Sequence, residues 1–170
     1  MSFSPIPRYS FRKLTDISPE FLVNLGVKFL MLDLDNTVAA YSESAPSDSV
    51  AMWSARVAEY GIVSYIVSNS VRVGRVETFA QALCIGYVKG ASKPSSKVVT
   101  RTIKESGFEP GESALVGDQV YTDTIAANRA GAISIIVKPR RFTNPFLALR
   151  YALEAPFRAM CKNKIHKKQS

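Results

Sequence analysis

Sulfur and imidazole are scarce in this 170-residue chain: two cysteines, Cys84 and Cys161, and one histidine, His166. Two cysteines offer neither zinc-ligand spacing nor a disulfide framework, which fits a reducing compartment. His166 sits among lysines and reads as a solvated residue rather than a catalytic one. No apolar run approaches the ~20 residues that would span a bilayer, so a protein that meets a membrane here lies on it. Pro5, Pro7, Arg8, Arg12 and Lys13 interrupt the first residues, and no signal-peptide core is expected there. Internal repeats and low-complexity blocks are missing as well. Acidic residues are the minority, with 14 Asp and Glu against 22 Lys and Arg, a formal net charge of +8. That excess points to an anionic partner: phosphate groups, a membrane surface or nucleic acid. Aromatic and basic residues do not interleave as in single-strand binders, which places nucleic acid behind the other two.

What remains is the composition of an ordinary globule, 46% hydrophobic and 21% charged, and enough chain for one domain with a real core. Apolar, β-branched runs occur at Val27 to Leu32, Ile62 to Val67, Cys84 to Val88, Ala114 to Val116 and Ile133 to Val137. Runs that are apolar on both faces read as strands of a parallel sheet covered on both sides. Helix-like segments lie between them: Ser49 to Tyr60, Val71 to Leu83, Ser95 to Ser106 and Tyr121 to Ala130. Gly61, Gly107 and Gly131 each follow one, where helix C-termini favour glycine. The alternation predicts a doubly wound α/β fold with a parallel sheet. Residues 27–138 form its core. An N-terminal extension, 1–26, and a basic amphipathic tail, 139–170, fall outside the rhythm.

Ligands of open α/β sheets sit at the carboxyl ends of the strands. The first strand ends in Asp33-Leu34-Asp35-Asn36-Thr37, and strand alternation turns Asp33 and Asp35 to one side. Two carboxylates so placed repel unless a cation or a proton relieves them. Taken alone, Asp35-Asn36-Thr37 suit a turn and a helix cap equally well. The later strand ends tip the balance. Ser68-Asn69 follow the second strand, Lys93 the third, and Gly117-Asp118 with Asp123 the fourth. Carboxylates for a cation, hydroxyl and amide for phosphate oxygens, and an ammonium for negative charge make a set suited to phosphoryl transfer.

The stretches DLDNT, SN, KP and GDQVYTD, in this order across roughly residues 27 to 138, resemble the four motifs of the haloacid dehalogenase (HAD) superfamily of phosphatases. GVKFLMLDLDNT, VSNS with RV, and GDQVYTD with NRAG resemble its YqeG-type, subclass III members, among whose relatives phosphatidylglycerophosphate is a substrate. The resemblance implies a three-layer HAD-like (Rossmannoid) sheet. It also implies a Mg²⁺-dependent phosphomonoester hydrolase working through an aspartyl-phosphate. Asp33 matches the nucleophile, Asp35 the general acid and base, and Lys93 the neutralising cation. Ser68, Asn69 and Lys93 would hold the phosphoryl group, and Thr37 would support the flap after the first strand. Asp33, the Asp35 backbone carbonyl and Asp118 would bind Mg²⁺, with Asp123 acting through water. Ser70 stands where relatives often carry a second asparagine, and Val38 where they often carry leucine.

The gaps between motifs are short. Thr37 to Ser68 has room for a flap and one helix, and Asn69 to Lys93 for one helix and one strand. No cap domain fits, so the site is expected to be open, which suits a substrate whose bulk stays outside. In the tail, Phe146, Leu149, Leu153, Phe157 and Met160 recur at helical spacing, with Arg150, Glu154 and Arg158 on another face. Lys162, Lys164, Lys167 and Lys168 follow, and Pro156 is expected to kink the helix. Two readings stay open: a terminal helix packed on the sheet, or an interfacial helix on an anionic membrane. Phe3, Tyr9, Phe11 and their basic neighbours could extend that surface. Arg72 and Arg75 are placed either near the open mouth or as solvated helix charges, and Asn128 either as part of the NRAG motif or as an exposed helix residue. The favoured function is dephosphorylation of an anionic phospholipid, phosphatidylglycerophosphate, by a cytoplasmic protein or one peripheral on the inner face of a membrane. Soluble sugar phosphates or nucleotides, protein or nucleic-acid ends, and a non-catalytic RNA- or protein-binding scaffold are the alternatives.

Overall fold

The computed structural model describes residues 4–141, 145–161 and 163–164. Lys162, the Lys164 side chain, His166, Lys167, Lys168 and Phe3 lie outside the described residues. A seven-stranded parallel sheet forms the middle layer. Its strands are β1 (Tyr9–Ser10), β2 (Phe29–Leu32), β3 (Val63–Ser68), β4 (Gly86–Lys89), β5 (Ser113–Gly117), β6 (Ile133–Ile136) and β7 (Asn163–Lys164). They run in the order β4-β3-β2-β5-β6-β1-β7. Among the described residues, six α-helices accompany them: α1 (Pro19–Asn24), α2 (Asp48–Glu59), α3 (Arg75–Ala82), α4 (Lys97–Glu105), α5 (Ile125–Ala130) and α6 (Pro145–Ala159).

The central strand shows why the sheet is covered twice. All four residues of β2 are buried, and strand alternation sends them to two separate cores. Leu30 and Leu32 pack with Leu22 of α1, Trp53 and Val57 of α2, and Val76 and Phe79 of α3. Phe29 and Met31 pack with Val99 and Ile103 of α4 and Ala126, Ala127 and Ala130 of α5. Phe29 stacks on Phe108 and meets Tyr65 edge-on. The expected doubly wound α/β sheet without a cap is thus present. Between β2 and β3 lie only a flap and α2; between β3 and Lys93 lie only α3 and β4.

The N-terminal segment joins this architecture. Tyr9 pairs with Ile135 and Ser10 with Ile136, and the side chain of Asn128 on α5 donates to the carbonyls of Ser4 (2.7 Å) and Ile6 (3.1 Å). Asn128 is therefore a half-buried tether, and its reading as an exposed helix residue does not hold. Ser18 caps α1 by accepting from the Phe21 amide, and Trp53 Nε1 donates to the Ile17 carbonyl at 2.6 Å.

Helix α6 continues through Pro156 to Ala159. Its inward side carries polar groups as well as the buried Leu147. Glu154 is buried and Arg158 half-buried, whereas Phe146, Leu149, Leu153 and Met160 are exposed. No helix among the described residues is long and apolar enough to cross a membrane.

Because Phe29 is fully buried between two aromatic neighbours, Phe29→Ala is expected to lower stability by ~3–5 kcal/mol, read from urea unfolding.

Candidate active site

The chain reverses sharply at the end of β2. Asn36 adopts a left-handed conformation (φ 65°), which asparagine tolerates, and its amide donates to the Ala39 carbonyl at 2.7 Å. This leaves Asp33 and Asp35 at the carboxyl edge of β2, next to the ends of β3 and β5. Lys93 reaches the same edge from the loop after β4. Its ammonium is 2.6 Å from Asp33 Oδ1 and 2.6 Å from Asp123 Oδ1. Asn69 fixes the Lys93 backbone from both sides: Nδ2 donates to the Lys93 carbonyl (3.0 Å), and Oδ1 accepts from the Lys93 amide (3.1 Å). Ser68 Oγ accepts from the Ser70 amide at 3.0 Å, and Thr37 Oγ1 donates to Asp33 Oδ2 at 3.4 Å.

The fourth strand end is shaped by glycine. Asp123 lies on a wide helical turn, Val120–Thr124, that folds back under β5, and its Oδ2 accepts from the Gln119 amide at 3.1 Å. A Cβ on Gly117 would fall 2.2 Å from Asp123 Cγ, so no larger residue fits there without moving the carboxylate. Asp118 is 1% exposed, and neither of its carboxylate oxygens has a hydrogen-bond partner. Its nearest counter-charge, Arg150 of α6, is 4.0 Å away. A buried carboxylate without a partner is costly and is expected to be satisfied by a ligand. One oxygen each from Asp33, Asp118 and Asp123 lie within 4.8 Å of one another. An all-carboxylate set fits a hard, oxygen-seeking divalent cation.

Burial sets the charge state before any cation binds. It pushes the Asp33 carboxyl up to about 7, with Lys93 pulling down and Asp123 and Asp35 pushing up. Burial, then Asp33 and Asp123, likewise hold Asp118 well above the usual range. For Lys93 burial works against the ammonium, but Asp123 and Asp33 outweigh it and the pKa rises.

The structure thus gathers Asp33, Asp35, Thr37, Ser68, Asn69, Lys93, Asp118 and Asp123 at one edge. It adds Arg75, for which sequence left two readings. Arg75 is buried, and its Nε donates to Asp35 Oδ1 at 2.9 Å. Its terminal nitrogens hold the flap through the Ala40 carbonyl (2.8 Å) and the Glu43 carbonyl. Arg72 instead stays exposed at the mouth, over the Tyr41 ring. The clues to Arg75 were its position at the start of α3, beside the second strand end, and the lack of a cation for Asp35. The cavity above the site measures about 180 Å³ and is lined by Asp33, Asp35, Tyr41, Ser68 and Asn69 together with Ser70, Val71 and Arg72.

A parallel sheet with an acid pair, a lysine and further acids at its carboxyl edge defines a phosphoryl-transfer hydrolase of the HAD type. Comparison with known proteins agrees. Residues 90–145 match the family model for HAD-hydrolase-like proteins. The chain is 30% identical over 142 residues to Probable phosphatase YqeG of Bacillus subtilis (strain 168), covering 84% of this chain and 82% of that protein. Among solved structures, a hypothetical protein of Xanthomonas campestris superposes with a TM-score of 0.57 at 17% identity, covering 88% of this chain and 80% of that one. The 3-deoxy-D-manno-octulosonate 8-phosphate phosphatase of Moraxella catarrhalis, bound to magnesium, phosphate and sugar acid, superposes with a TM-score of 0.52 at 16% identity, covering 84% and 94%. The chain belongs to the HAD superfamily, among its capless YqeG-type phosphatases.

Two measurements follow from this geometry. Removing the Arg75 guanidinium leaves the buried Asp35 carboxylate uncompensated, so Arg75→Met is expected to cost ~3–5 kcal/mol in urea unfolding. The second concerns pH. Asp33 titrates near 3.8 unfolded and near 7 in the cation-free fold, so between those values the fold holds the extra proton. Its contribution to stability is present below that window and is lost as pH rises through it. Melting temperatures in EDTA should therefore show Asp33→Asn gaining on wild type from about pH 4 to about pH 7.

Proposed function

We propose that this protein is a Mg²⁺-dependent phosphomonoester hydrolase in which Asp33 is the nucleophile. The observation that carries this reading is the Asp33 carboxylate held 2.6 Å from the buried Lys93 ammonium, beside Asp118, whose buried oxygens have no hydrogen-bond partner. Asp33 attacks phosphorus and becomes an aspartyl-phosphate as the P–O bond to the leaving group breaks. Asp35 gives its proton to the leaving oxygen, then takes one from the water that hydrolyses the acyl phosphate. Arg75 engages one oxygen of Asp35 and fixes its orientation for both steps. Lys93 retains one N–H beyond its two ion pairs, and Asn69 one Nδ2 hydrogen beyond its bond to Lys93; with Ser68 these would hold the phosphoryl oxygens. Asp33, Asp118 and the Asp35 carbonyl, with Asp123 through water, would hold Mg²⁺, which when bound supplies charge neutralisation to the transferring group. Residues 27–138 would be the catalytic core, with 1–26 and 139–170 as its extensions.

The substrate we favour is a phosphomonoester on an anionic lipid, phosphatidylglycerophosphate among them. Val71 and Val73 are 93% and 102% exposed, and Val71 lines the open mouth. The exposed Phe146, Leu149 and Leu153 belong to the same helix that sends Arg150 toward Asp118. An apolar surface beside a small phosphate-sized cavity suits a substrate whose tails stay in a membrane. A soluble sugar phosphate is the competing substrate, in keeping with the activity named for the Moraxella neighbour.

Phosphate release from phosphatidylglycerophosphate in mixed micelles and from a panel of soluble phosphomonoesters should require both Mg²⁺ and Asp33. Asp33→Asn should lower turnover by at least about 10³-fold, as expected when a covalent nucleophile is lost. Turnover confined to soluble esters would refute the lipid reading. Equal turnover by Asp33→Asn would refute the mechanism.

A further inference from the structure

A larger cavity lies on the other side of the flap. It measures about 390 Å³, within the ~300–1,000 Å³ range of small-molecule pockets. Five cationic side chains line it: Arg12, Lys13, Lys138, Arg140 and Arg141. We propose that this cavity is a second anion-binding site, shaped for a phosphate-bearing ligand and separate from the catalytic centre.

Topology explains how the cations converge. Strands β1 and β6 run parallel, with Tyr9 opposite Ile135 and Ser10 opposite Ile136. Arg12 and Lys13 follow β1, and Lys138 to Arg141 follow β6, so both groups leave the sheet at its carboxyl edge. The Lys138 amide donates to the Arg12 carbonyl at 3.3 Å and holds the two segments side by side. This is the edge at which open α/β sheets receive ligands.

Charge bookkeeping points the same way. Glu43 is the one acid in the lining, and it is already engaged: Oε1 by Arg140 at 3.0 Å and Oε2 by the Ala40 amide at 2.7 Å. Among the described residues, no ion pair includes Arg12, Lys13, Lys138 or Arg141. Four cations around one cavity repel one another until an anion enters. Guanidinium groups supply paired N–H donors matched to phosphate oxygens, and ammonium groups supply point charges.

The two cavities share no lining residue. The flap, residues 36–43, is the wall between them. Thr37 lines the basic cavity while its hydroxyl donates to Asp33. The Arg140 amide donates to the Asn36 carbonyl at 3.0 Å, and its guanidinium to the Val38 carbonyl at 3.4 Å. The phosphate group has two possible carriers, a soluble oligophosphate or an anionic phospholipid headgroup.

The test uses the full chain and the variant Arg12→Ala/Lys138→Ala/Arg141→Ala, none of whose altered residues contacts the catalytic set. Binding is read in EDTA, so the outcome does not depend on the phosphatase reading. One arm titrates pyrophosphate by calorimetry. The other sediments the protein with phosphatidylcholine vesicles with and without phosphatidylglycerol. The expected result is at least about tenfold weaker binding by the variant. A loss confined to pyrophosphate identifies a soluble ligand, and a loss confined to vesicles identifies a headgroup. Wild type that binds neither probe, or a variant that binds both as wild type does, overturns the proposal. Lys138→Glu alone, at an exposed residue, repeats the comparison should the triple variant not fold.

Discussion

Setting four carboxylates at the ends of adjoining parallel strands is unfavourable unless cations come with them. Asp33, Asp35, Asp118 and Asp123 are each no more than 8% exposed. Water cannot solvate them, and their mutual repulsion is weakly screened in a low-dielectric site. Lys93 settles the matter for Asp33 and Asp123, and Arg75 for Asp35. Asp118 keeps its deficit, and that imbalance is what prepares the edge for a divalent cation. Much of the local architecture serves these ion pairs. Asn69 clamps the Lys93 backbone, Gly117 makes room for Asp123, and the left-handed Asn36 turns the flap so that Arg75 can reach both Asp35 and two flap carbonyls.

The part of the site carried by single residues at strand ends was legible in the sequence. Strand alternation, the burial of β2 and the short gaps between motifs are local properties, so Asp33, Asp35, Ser68, Lys93 and Asp118 could be placed at one edge before any coordinates. Arg75 was not settled in that way. Its burial depends on how α3 lies against the flap, a tertiary fact, and an arginine at the start of a helix reads equally well as solvated. Asn128 shows the same limit, since its partners, Ser4 and Ile6, are more than 120 residues away. The short strands β1 and β7 carry two residues each, too few for any periodicity to register.

Helix α6 shows why an amphipathic pattern does not by itself say which face is buried. The apolar stripe could have packed on the sheet. Instead the inward face carries Glu154, which accepts from the Tyr121 amide and from Arg158, and Arg158 donates to the carbonyls of Val137 and Asp118. Those hydrogen bonds meet backbone groups of the wide turn and the β5 and β6 ends. The helix is thus anchored by polar groups to the loop that bears Asp118, and Phe146, Leu149 and Leu153 are left outside. Leu147, which is buried, and Phe157, half-buried against Tyr121, depart from this pattern.

An open phosphatase must obtain its selectivity from groups around the mouth, because no cap encloses the substrate. The cavity lined by Asp33 and Asp35, at about 180 Å³, has room for little beyond a phosphoryl group and its first attachments. Recognition of the remainder then falls to surfaces that the flap separates: exposed valines and α6 on one side, a basic cavity on the other. The flap touches charge on both sides. Its Thr37 meets Asp33, its Ala40 and Glu43 carbonyls meet Arg75, and its Glu43 carboxylate meets Arg140. An anion entering the basic cavity competes with Glu43 for Arg140, and Glu43 is also what holds the Ala40 amide. The same short segment therefore connects the charge state of the outer cavity to Asp33 and, through Arg75, to Asp35, through hydrogen bonds that are all in place in the fold.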